Sequence, residues 1–270
     1  MYNSIVLTGI AATLADGLGV SRPKHSAPPI TALENLIRNN SKNAGLDRIL
    51  MYNPDAVGLW HYQKYTEWFL PVQMHTQLAL PLLTVMPSVT PVCFATMYTG
   101  ALPEVHGIQK YEKPVIKIDT IFDSLLGAGK KCAIASSWPE ASMSKIFLER
   151  DMDYYIFDTV EKTNDKVLEL IEADKHDFVC VYNGNYDKSC HASGPESEES
   201  LAELRSNIEA FKTLALAAEK YWASYDTLIA FAPDHGIHRA EESGKGTHGT
   251  DMEEDLNIMH YYGIQPRKSI

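Results

Sequence analysis

The feature that most constrains this chain is a recurring order along the sequence, in which a short apolar run is followed by a turn and then by an amphipathic stretch. That order is typical of a β-sheet flanked by helices. The pattern predicts strands over residues 5–14, 131–137, 177–182, 227–233 and 257–262. Helical spacing predicts helices over residues 30–39, 92–98, 119–128, 163–172 and 198–222. We therefore expect an α/β fold.

Residues 41–83 break this order, because aromatic side chains and prolines crowd together there. The aromatic residues are Trp60, Tyr62, Tyr65, Trp68 and Phe69. Such a cluster is more often a packed sub-core than a ligand pocket, although its position shortly before a candidate nucleophile keeps the pocket interpretation open. We predict one domain over residues 1–270, with 41–83 as an aromatic-rich insertion within it.

Charge and composition exclude some classes of partner. The net charge of −11 argues against a nucleic-acid-binding surface, because binders of the phosphate backbone present basic patches. No apolar stretch reaches the roughly 18–20 residues that a membrane-spanning helix requires. The four cysteines form no CxxC pair, and we expect them to be reduced and buried. A cytoplasmic protein without nucleic-acid or membrane partners is the resulting expectation.

Metal-ligating residue types follow two of the predicted strands. Asp187 and His191 stand four residues apart just beyond the run that ends at residue 182, and Asp234-His235 directly follows the run that ends at 233. Loops after the carboxyl ends of strands are where open α/β sheets bind ligands. An Asp-x3-His pair alone is more often a surface Asp beside a helical His. Adjacent Asp and His after a buried strand favour a cation, because a buried carboxylate needs neutralisation.

Two further candidates complete the set. His248 stands before Gly249 and just ahead of the last predicted strand, and Asp16 precedes Gly17 at the end of the first. Taken singly, His248 would be an exposed loop residue and Asp16-Gly17 an ordinary turn. Together with the previous four they make six ligand-type residues near strand ends. That number is enough for two sites of three ligands each, with positions left open for substrate and water.

A further block places a hydroxyl at a predicted helix start. Thr90-Pro91 opens the stretch that ends in Thr99-Gly100, and the segment Pro103-Glu-Val-His-Gly-Ile follows it. Here the sequence resembles the alkaline phosphatase superfamily, in particular its type I phosphodiesterase and nucleotide pyrophosphatase branch. The resemblance covers residues 84–108, 177–195 and 226–263, with Asp16 in the right order near the start.

The resemblance implies a three-layer α/β/α sandwich with a mostly parallel central sheet. It also implies a metal-dependent hydrolase of small-molecule phosphodiesters or pyrophosphates, with Thr90 as the nucleophile that becomes phosphorylated. The implied ligands of one metal are Asp187, His191 and His248, and those of the other are Asp16, Asp234 and His235. The implied cofactors are two divalent metal ions, with Zn²⁺ ahead of Mn²⁺ for a mixed Asp and His set.

Departures from the family pattern leave alternatives open. The family usually has an Asn shortly after the His-Gly-Ile turn to hold a phosphate oxygen, whereas this chain reads Gln109-Lys110-Tyr111. Lys110 could pair with the second charge of a phosphomonoester. A phosphomonoesterase or phosphosugar mutase, and an inactive metal-binding recognition protein, therefore remain alternatives. His106 belongs to a turn that the family uses structurally, and the glycines around Lys130 predict a helix cap rather than a phosphate loop.

Overall fold

A computed structural model describes residues 1–268, and its centre is a seven-stranded sheet in the order β2-β9-β6-β1-β5-β3-β4. In chain order the strands are β1 (Arg48–Pro54), β2 (Leu78–Leu83), β3 (Cys132–Ser137), β4 (Asp153–Phe157), β5 (Phe178–Asn183), β6 (Thr227–Phe231), β7 (His238–Arg239), β8 (Gly246–Thr247) and β9 (Asn257–Gln265). The five strands from β6 to β4 run parallel, and β9 and β2 add antiparallel pairings at one side. Strands β7 and β8 form a separate hairpin.

Helices cover both faces of this sheet. In chain order they are α1 (Ile10–Gly17), α2 (Thr31–Asn40), α3 (Leu59–Lys64), α4 (Leu70–Gln73), α5 (Thr90–Thr99), α6 (Pro103–His106), α7 (Ile121–Gly127), α8 (Val160–Ala173), α9 (Asn185–Ser193), α10 (Glu198–Tyr221) and α11 (Glu253–Leu256), with 3₁₀ turns at Leu7–Gly9 and Thr66–Phe69. Among residues 1–268 no helix is long and apolar enough to cross a membrane.

The central strand β1 shows why the protein has three layers. Ile49 and Met51 point into one hydrophobic cluster, which α1, α2, α5 and α7 complete. Leu50 and Tyr52 point into a second cluster on the other face, which α8 and α10 complete. Successive side chains of a strand alternate between faces, so a strand that is apolar at every position must be covered on both sides. The expected three-layer α/β/α sandwich with a mostly parallel sheet is confirmed.

Most of the predicted elements are present. Strands β3, β5, β6 and β9 match the four later predicted strands, and helices α2, α5, α7, α8 and α10 match the predicted helices to within a few residues. All four cysteines are free and buried, as expected. The cap expected near Lys130 is also present, because Gly129 has a φ of +76° just beyond the end of α7.

The prediction of a strand over residues 5–14 is wrong. This segment forms the 3₁₀ turn and the first part of α1, and Val6 alone keeps a bridge to Leu83. An unbroken apolar run can be either a buried strand or a buried helix, because burial on all sides removes the periodicity that tells them apart. The alanines in this run favour the helix. Thr13 fits it too, since its hydroxyl bonds the Gly9 carbonyl at 2.7 Å.

The interpretation of residues 41–83 as an insertion also needs correction. The segment holds β1, which lies in the middle of the sheet between β6 and β5, and β2 at its edge. Only the part between these strands carries the aromatic cluster, and there the sub-core interpretation is confirmed. Phe69 packs among Tyr62, Phe231 and Tyr261 within the second hydrophobic cluster.

The hydroxyl of Thr13 joins α1 to the start of α2, and removing it should destabilise the protein. Thr13 is fully buried, and its hydroxyl accepts the Ile30 N–H at 2.8 Å. Thr13→Val would leave that amide buried without an acceptor, so we expect the free energy of unfolding to fall by about 1–3 kcal/mol. Urea titration measures the change.

Thr213→Val is the matched control for this substitution. Thr213 makes the same bond to the carbonyl four residues earlier, at 2.9 Å, but it is exposed on α10. Its change in unfolding free energy should stay within about 0.5 kcal/mol. Equal losses at Thr13 and Thr213 would contradict the role given to the Ile30 amide.

Candidate active site

Three adjacent parallel strands, β6, β1 and β5, deliver polar side chains to one edge of the sheet. Asp55 follows the last residue of β1, Asp234 lies three residues beyond β6, and Asp187 lies in the first turn of α9 just after β5. The carboxyl ends of parallel strands meet at the same edge, where the loops between strand and helix form ligand sites. The register of the sheet thus brings together carboxylates that are far apart in sequence.

One group of possible metal ligands consists of Asp55, Asp234 and His235. All three are buried, with exposures of 1%, 0% and 0%. Nε2 of His235 lies 3.4 Å from Oδ1 of Asp55 and 3.4 Å from Oδ2 of Asp234. The other oxygens are occupied, since Asp55 Oδ2 accepts from the Tyr182 hydroxyl and Asp234 Oδ1 accepts from the Ala56 N–H at 3.3 Å.

The second group consists of Asp187, His191 and His248. Nε2 of His191 lies 3.2 Å from Oδ1 of Asp187, and Nε2 of His248 lies 3.5 Å from the same oxygen. The two imidazole nitrogens are themselves 3.2 Å apart. The groups adjoin one another, because the rings of His235 and His248 stack with centroids 4.1 Å apart. Catalytic two-metal sites hold their ions about 3.5–4 Å apart, which suits two such neighbouring groups.

The three histidines are oriented alike. In each, Nδ1 faces a backbone carbonyl, and a carbonyl oxygen can only accept, so Nδ1 carries the proton and Nε2 presents its lone pair to the site. The pairs are His235 with Gly236 at 2.8 Å, His191 with Gly246 at 2.9 Å and His248 with Ser88 at 2.8 Å. Backbone carbonyls thereby fix the tautomer that metal coordination requires.

The three carboxyls differ in how far positive charge offsets their burial. Burial raises the pKa of Asp55 to about 7, and the charge of Asp187 adds to this effect. Burial, and then the charge of Asp55, raise the pKa of Asp234 well above its usual range. Burial also works against ionisation of Asp187, but His191 and His248 outweigh it and hold its pKa below the usual range.

Burial and the neighbouring charges also shift the pKa values of the histidines. Burial lowers the pKa of His235 to about 3, which keeps this imidazole neutral. Burial acts in the same direction on His248, yet the Asp187 carboxylate overrides it and raises the pKa to about 9. The negative potential that draws a proton to His248 would equally draw a metal cation.

These residues fit divalent cations on structural grounds. Oδ1 of Asp55, Oδ2 of Asp234 and Oδ1 of Asp187 are buried and accept no hydrogen bond. Each unpartnered oxygen lies within 3.5 Å of the Nε2 atoms of its group. Buried charged oxygens and imidazole lone pairs that face one another repel unless a cation lies between them. Mixed carboxylate and imidazole ligands suit Zn²⁺ and Mn²⁺.

Thr90 lies beside the Asp55 group. It is the first residue of α5 and is 4% exposed. Its Oγ1 lies 3.3 Å from Nε2 of His235 and 3.5 Å from Oδ2 of Asp55. Pro91 has no N–H, and the amides of the next two residues donate to the Val89 carbonyl. The Thr90 N–H has no backbone acceptor within residues 1–268, so it remains available beside the hydroxyl.

The structure brings five of the six predicted ligands together and places Asp16 elsewhere. Asp16 lies near the end of α1 and pairs with Arg22 on the surface, at 2.6 Å. Its assignment as a metal ligand is wrong because it rested on reading residues 5–14 as a strand. Asp55 holds the expected place. The signal for it was the apolar run of residues 49–52 followed by Pro54-Asp55, which the crowding of aromatics and prolines obscured.

His106 has the structural role expected of it. Its Nε2 bonds the buried Thr96 hydroxyl at 3.0 Å, and its Nδ1 accepts the Ile108 N–H at 3.2 Å. Gly107 then turns the chain with a φ of +87°. Thr96 is thereby occupied away from the ligand groups, which leaves Thr90 as the α5 hydroxyl that faces them.

A cavity of about 230 Å³ opens at this site. Its inner wall consists of the largely buried residues Asp55, Thr90, Ser142, Tyr182, Gly184 and Asp187, and its outer wall of the more exposed Tyr111, Lys113, Trp138, Glu140, Ala141 and Lys188. The aromatic rings at the cavity are therefore Tyr111, Trp138 and Tyr182, not those of residues 60–69. Lys110 does not line the cavity but lies on the surface, 3.4 Å from Glu112.

A family model described as type I phosphodiesterase / nucleotide pyrophosphatase matches residues 74–264 of the chain. The chain belongs to this family. It is thus a member of the alkaline phosphatase superfamily. The matched range contains Thr90 and five of the six ligands, whereas Asp55 precedes it. No curated protein matches the sequence significantly.

Solved structures share the fold. Murine ectonucleotide pyrophosphatase / phosphodiesterase 5 superposes with a TM-score of 0.57 at 18% identity, over 73% of this chain and 58% of that one. Phosphonoacetate hydrolase from Sinorhizobium meliloti 1021, solved with phosphonoformate, gives 0.54 at 14% identity, again over 73% and 58%. This family member therefore spans less than two thirds of the length of either structure.

Metal content should distinguish Asp55 from Asp16. Asp55→Asn keeps the side-chain volume but removes the charged oxygen, so we expect the protein to lose about one of two bound ions, or to bind that ion at least about tenfold more weakly. Asp16→Asn should leave the metal content unchanged. Elemental analysis after dialysis, with titration calorimetry, measures both.

Asp187→Ala combined with His191→Ala should empty the other group in the same assay, because two of its three ligands are gone. Unchanged metal content in this double variant would contradict the assignment of that group. Loss of an ion in Asp16→Asn, with retention in Asp55→Asn, would restore the original assignment of Asp16.

Proposed function

We propose that this family member hydrolyses phosphodiester or pyrophosphate bonds through a phosphorylated Thr90, with two divalent cations, Zn²⁺ ahead of Mn²⁺, in the two ligand groups. The observation that carries the proposal is the position of the Thr90 hydroxyl, within 3.5 Å of two members of one ligand group and at the inner wall of the cavity. A hydroxyl in this position, at the start of a helix and beside a ligand group, is suited to form an ester with phosphorus.

The chain's own residues suit an in-line displacement. Thr90 Oγ1 would form a bond to phosphorus while the bond from phosphorus to the leaving oxygen breaks, and water would later hydrolyse the phosphothreonine. The positive end of the α5 dipole and the free Thr90 N–H would face the phosphoryl oxygens. When bound, the two cations would supply positive charge that stabilises those oxygens and the Thr90 alkoxide.

Two structural neighbours support this choice. An inactive variant of the murine enzyme, in which a threonine is replaced by alanine, was solved in complex with AMP. The bacterial neighbour is named for hydrolysis of a phosphonate. Both act on a phosphorus centre, and the loss of activity in the first accompanies the loss of a threonine hydroxyl. We transfer that dependence to Thr90, because it faces the ligand groups here.

The preference for diesters or pyrophosphates over monoesters rests on the family and on the position of Lys110. The sequence left open that Lys110 pairs with the second charge of a monoester. In the structure this ammonium group lies outside the cavity beside Glu112, so Lys110 itself is not placed to supply that charge. Of residues 109–111, only Tyr111 lines the cavity, and its hydroxyl is a candidate partner for a phosphate oxygen.

Removing the Thr90 hydroxyl should abolish turnover. We expect Thr90→Ala to lower kcat by on the order of 10³-fold or more, because a covalent nucleophile is lost, while metal content and thermal stability stay near the wild-type values. Thr90→Ser keeps a hydroxyl and should retain measurable activity. Near-wild-type turnover by the alanine variant would exclude the phosphothreonine mechanism.

The reaction class can be measured with three chromogenic compounds. We expect kcat/KM for bis-nitrophenyl phosphate and for a thymidine nitrophenyl phosphate to exceed that for nitrophenyl phosphate, with Zn²⁺ or Mn²⁺ supplied. If kcat/KM for the monoester is instead higher by about tenfold, or about 1.4 kcal/mol in transition-state free energy, the enzyme is a phosphatase. Hydrolysis of none of the three would favour a metal-binding recognition protein.

A further inference from the structure

We infer that Asp255 is a positioning residue, which holds the segment of His248 against the segment of His235 and so sets the spacing of the two ligand groups. These are the Asp55 group (Asp55, Asp234 and His235) and the Asp187 group (Asp187, His191 and His248). Asp255 is not itself a metal ligand. The inference rests on the proposed function, because it requires cations in both groups.

The carboxylate of Asp255 is buried and fully engaged by donors from the chain. Asp255 lies in α11 and is 0% exposed. Its Oδ1 accepts from Nδ1 of His238 at 2.7 Å, and its Oδ2 accepts from the N–H and the hydroxyl of Thr250, at 3.1 and 2.8 Å. The three carboxylates of the ligand groups differ, because each keeps one buried oxygen without a partner. Asp255 therefore acts on the site through other residues.

One of these residues, Thr250, lies two positions after His248. The segment between them is also held from its other side by Ser88, in the loop before α5. Nδ1 of His248 faces the Ser88 carbonyl at 2.8 Å, and the Gly249 N–H donates to the Ser88 hydroxyl at 3.2 Å. Residues 248–250 are thus fixed between Ser88 and Asp255, which leaves the His248 ring little freedom to move away from its group.

The backbone of Asp255 contacts the segment of His235. Its carbonyl accepts the Gly236 N–H at 2.8 Å, and the Gly236 carbonyl in turn faces Nδ1 of His235, also at 2.8 Å. The approach is close, since a Cβ added at Gly236 would lie 1.9 Å from the Glu254 carbonyl oxygen. Only glycine lets α11 pack directly on this segment.

The bond from Asp255 to His238 reaches the third ligand histidine. His238 lies in β7 and pairs with Thr247 of β8, and the neighbouring Gly246 carbonyl faces Nδ1 of His191 at 2.9 Å. The β7–β8 hairpin is therefore fixed at one end by the carboxylate and at the other by a ligand of the Asp187 group.

These contacts divide between the side chain and the backbone of Asp255. The carboxylate holds the segments of the two histidines in the Asp187 group, whereas the backbone carbonyl holds the segment of the histidine in the Asp55 group. Outer contacts that orient metal ligands typically contribute about 10- to 100-fold to metal affinity. Removing the carboxylate should therefore weaken the Asp187 group and leave the Asp55 group nearly unchanged.

Calorimetric titration with Zn²⁺ can measure the groups separately in two backgrounds. Asp55→Asn leaves the Asp187 group as the remaining site, and Asp187→Ala with His191→Ala leaves the Asp55 group. Adding Asp255→Ala to the first background should weaken Zn²⁺ binding at least about tenfold, and adding it to the second should change binding by less than about threefold.

Asp226→Ala is the matched control. Asp226 is likewise 0% exposed and accepts three donors, the N–H of Lys42 at 3.0 Å and the N–H and Nε of Arg267 at 3.1 and 2.9 Å, but it precedes β6 at the opposite end of that strand. Its loss should lower the Tm, as the loss of Asp255 should, while the Zn²⁺ affinity of both groups stays unchanged.

Thr250→Val is a second variant, because Thr250 is exposed and its replacement leaves the core intact. It removes one bond to Asp255 and should weaken the Asp187 group at least about threefold, and Thr250→Ser should restore the affinity. If Asp255→Ala does not fold, Thr250→Val decides, and an unchanged affinity in that variant would overturn the inference.

Two other results would also overturn it. Asp255→Ala could leave both groups unchanged, or it could weaken both equally, as a general loss of stability would. Failure of the wild-type protein to bind Zn²⁺ or Mn²⁺ at all would instead overturn the proposed function.

Discussion

Two carboxylates are buried at the ends of β1 and β6, and the structure of this edge of the sheet depends on how their charge is compensated. Asp55 and Asp234 are almost fully buried and share only the neutral imidazole of His235. The effective cost of burying an unpaired charge is several kcal/mol, so the pair must take up protons or a cation. Because β1 is the central strand, this local requirement links cation binding to the stability of the whole sheet.

The ligand groups could be predicted from the sequence to the extent that their strands could. Asp187, Asp234 and His235 follow apolar runs bounded by turns, and in each case the run is a strand. Asp16 also follows an apolar run, but that run is helical, and α1 carries it to the surface beside Arg22. Ligand type and spacing alone could not separate Asp16 from Asp55, since both stand directly after apolar residues.

The remaining differences between the predicted and the observed elements arise where tertiary contacts decide the structure. Strand β4 is an edge strand whose side chains are only partly buried, so its sequence lacks a strong apolar signal. Strand β2 contains Pro81, which an edge strand tolerates and which argues against a strand when read locally. The outer wall of the cavity escaped prediction for a similar reason. Lys113, Trp138 and Lys188 lie in three separate segments, and only the fold brings them to one opening.

The position of β9 has a consequence for how the molecule assembles. Although it is the last strand in the chain, it lies inside the sheet, paired with β6 on one side and with β2 on the other. Strand β2 precedes β9 by well over a hundred residues, and pairings between such distant segments form slowly because the intervening chain must be ordered first. During synthesis, residues 78–83 would remain unpaired until residues 257–262 had left the ribosome. Until then β2 and β6 would each expose an unpaired edge, which is the kind of surface on which chains aggregate.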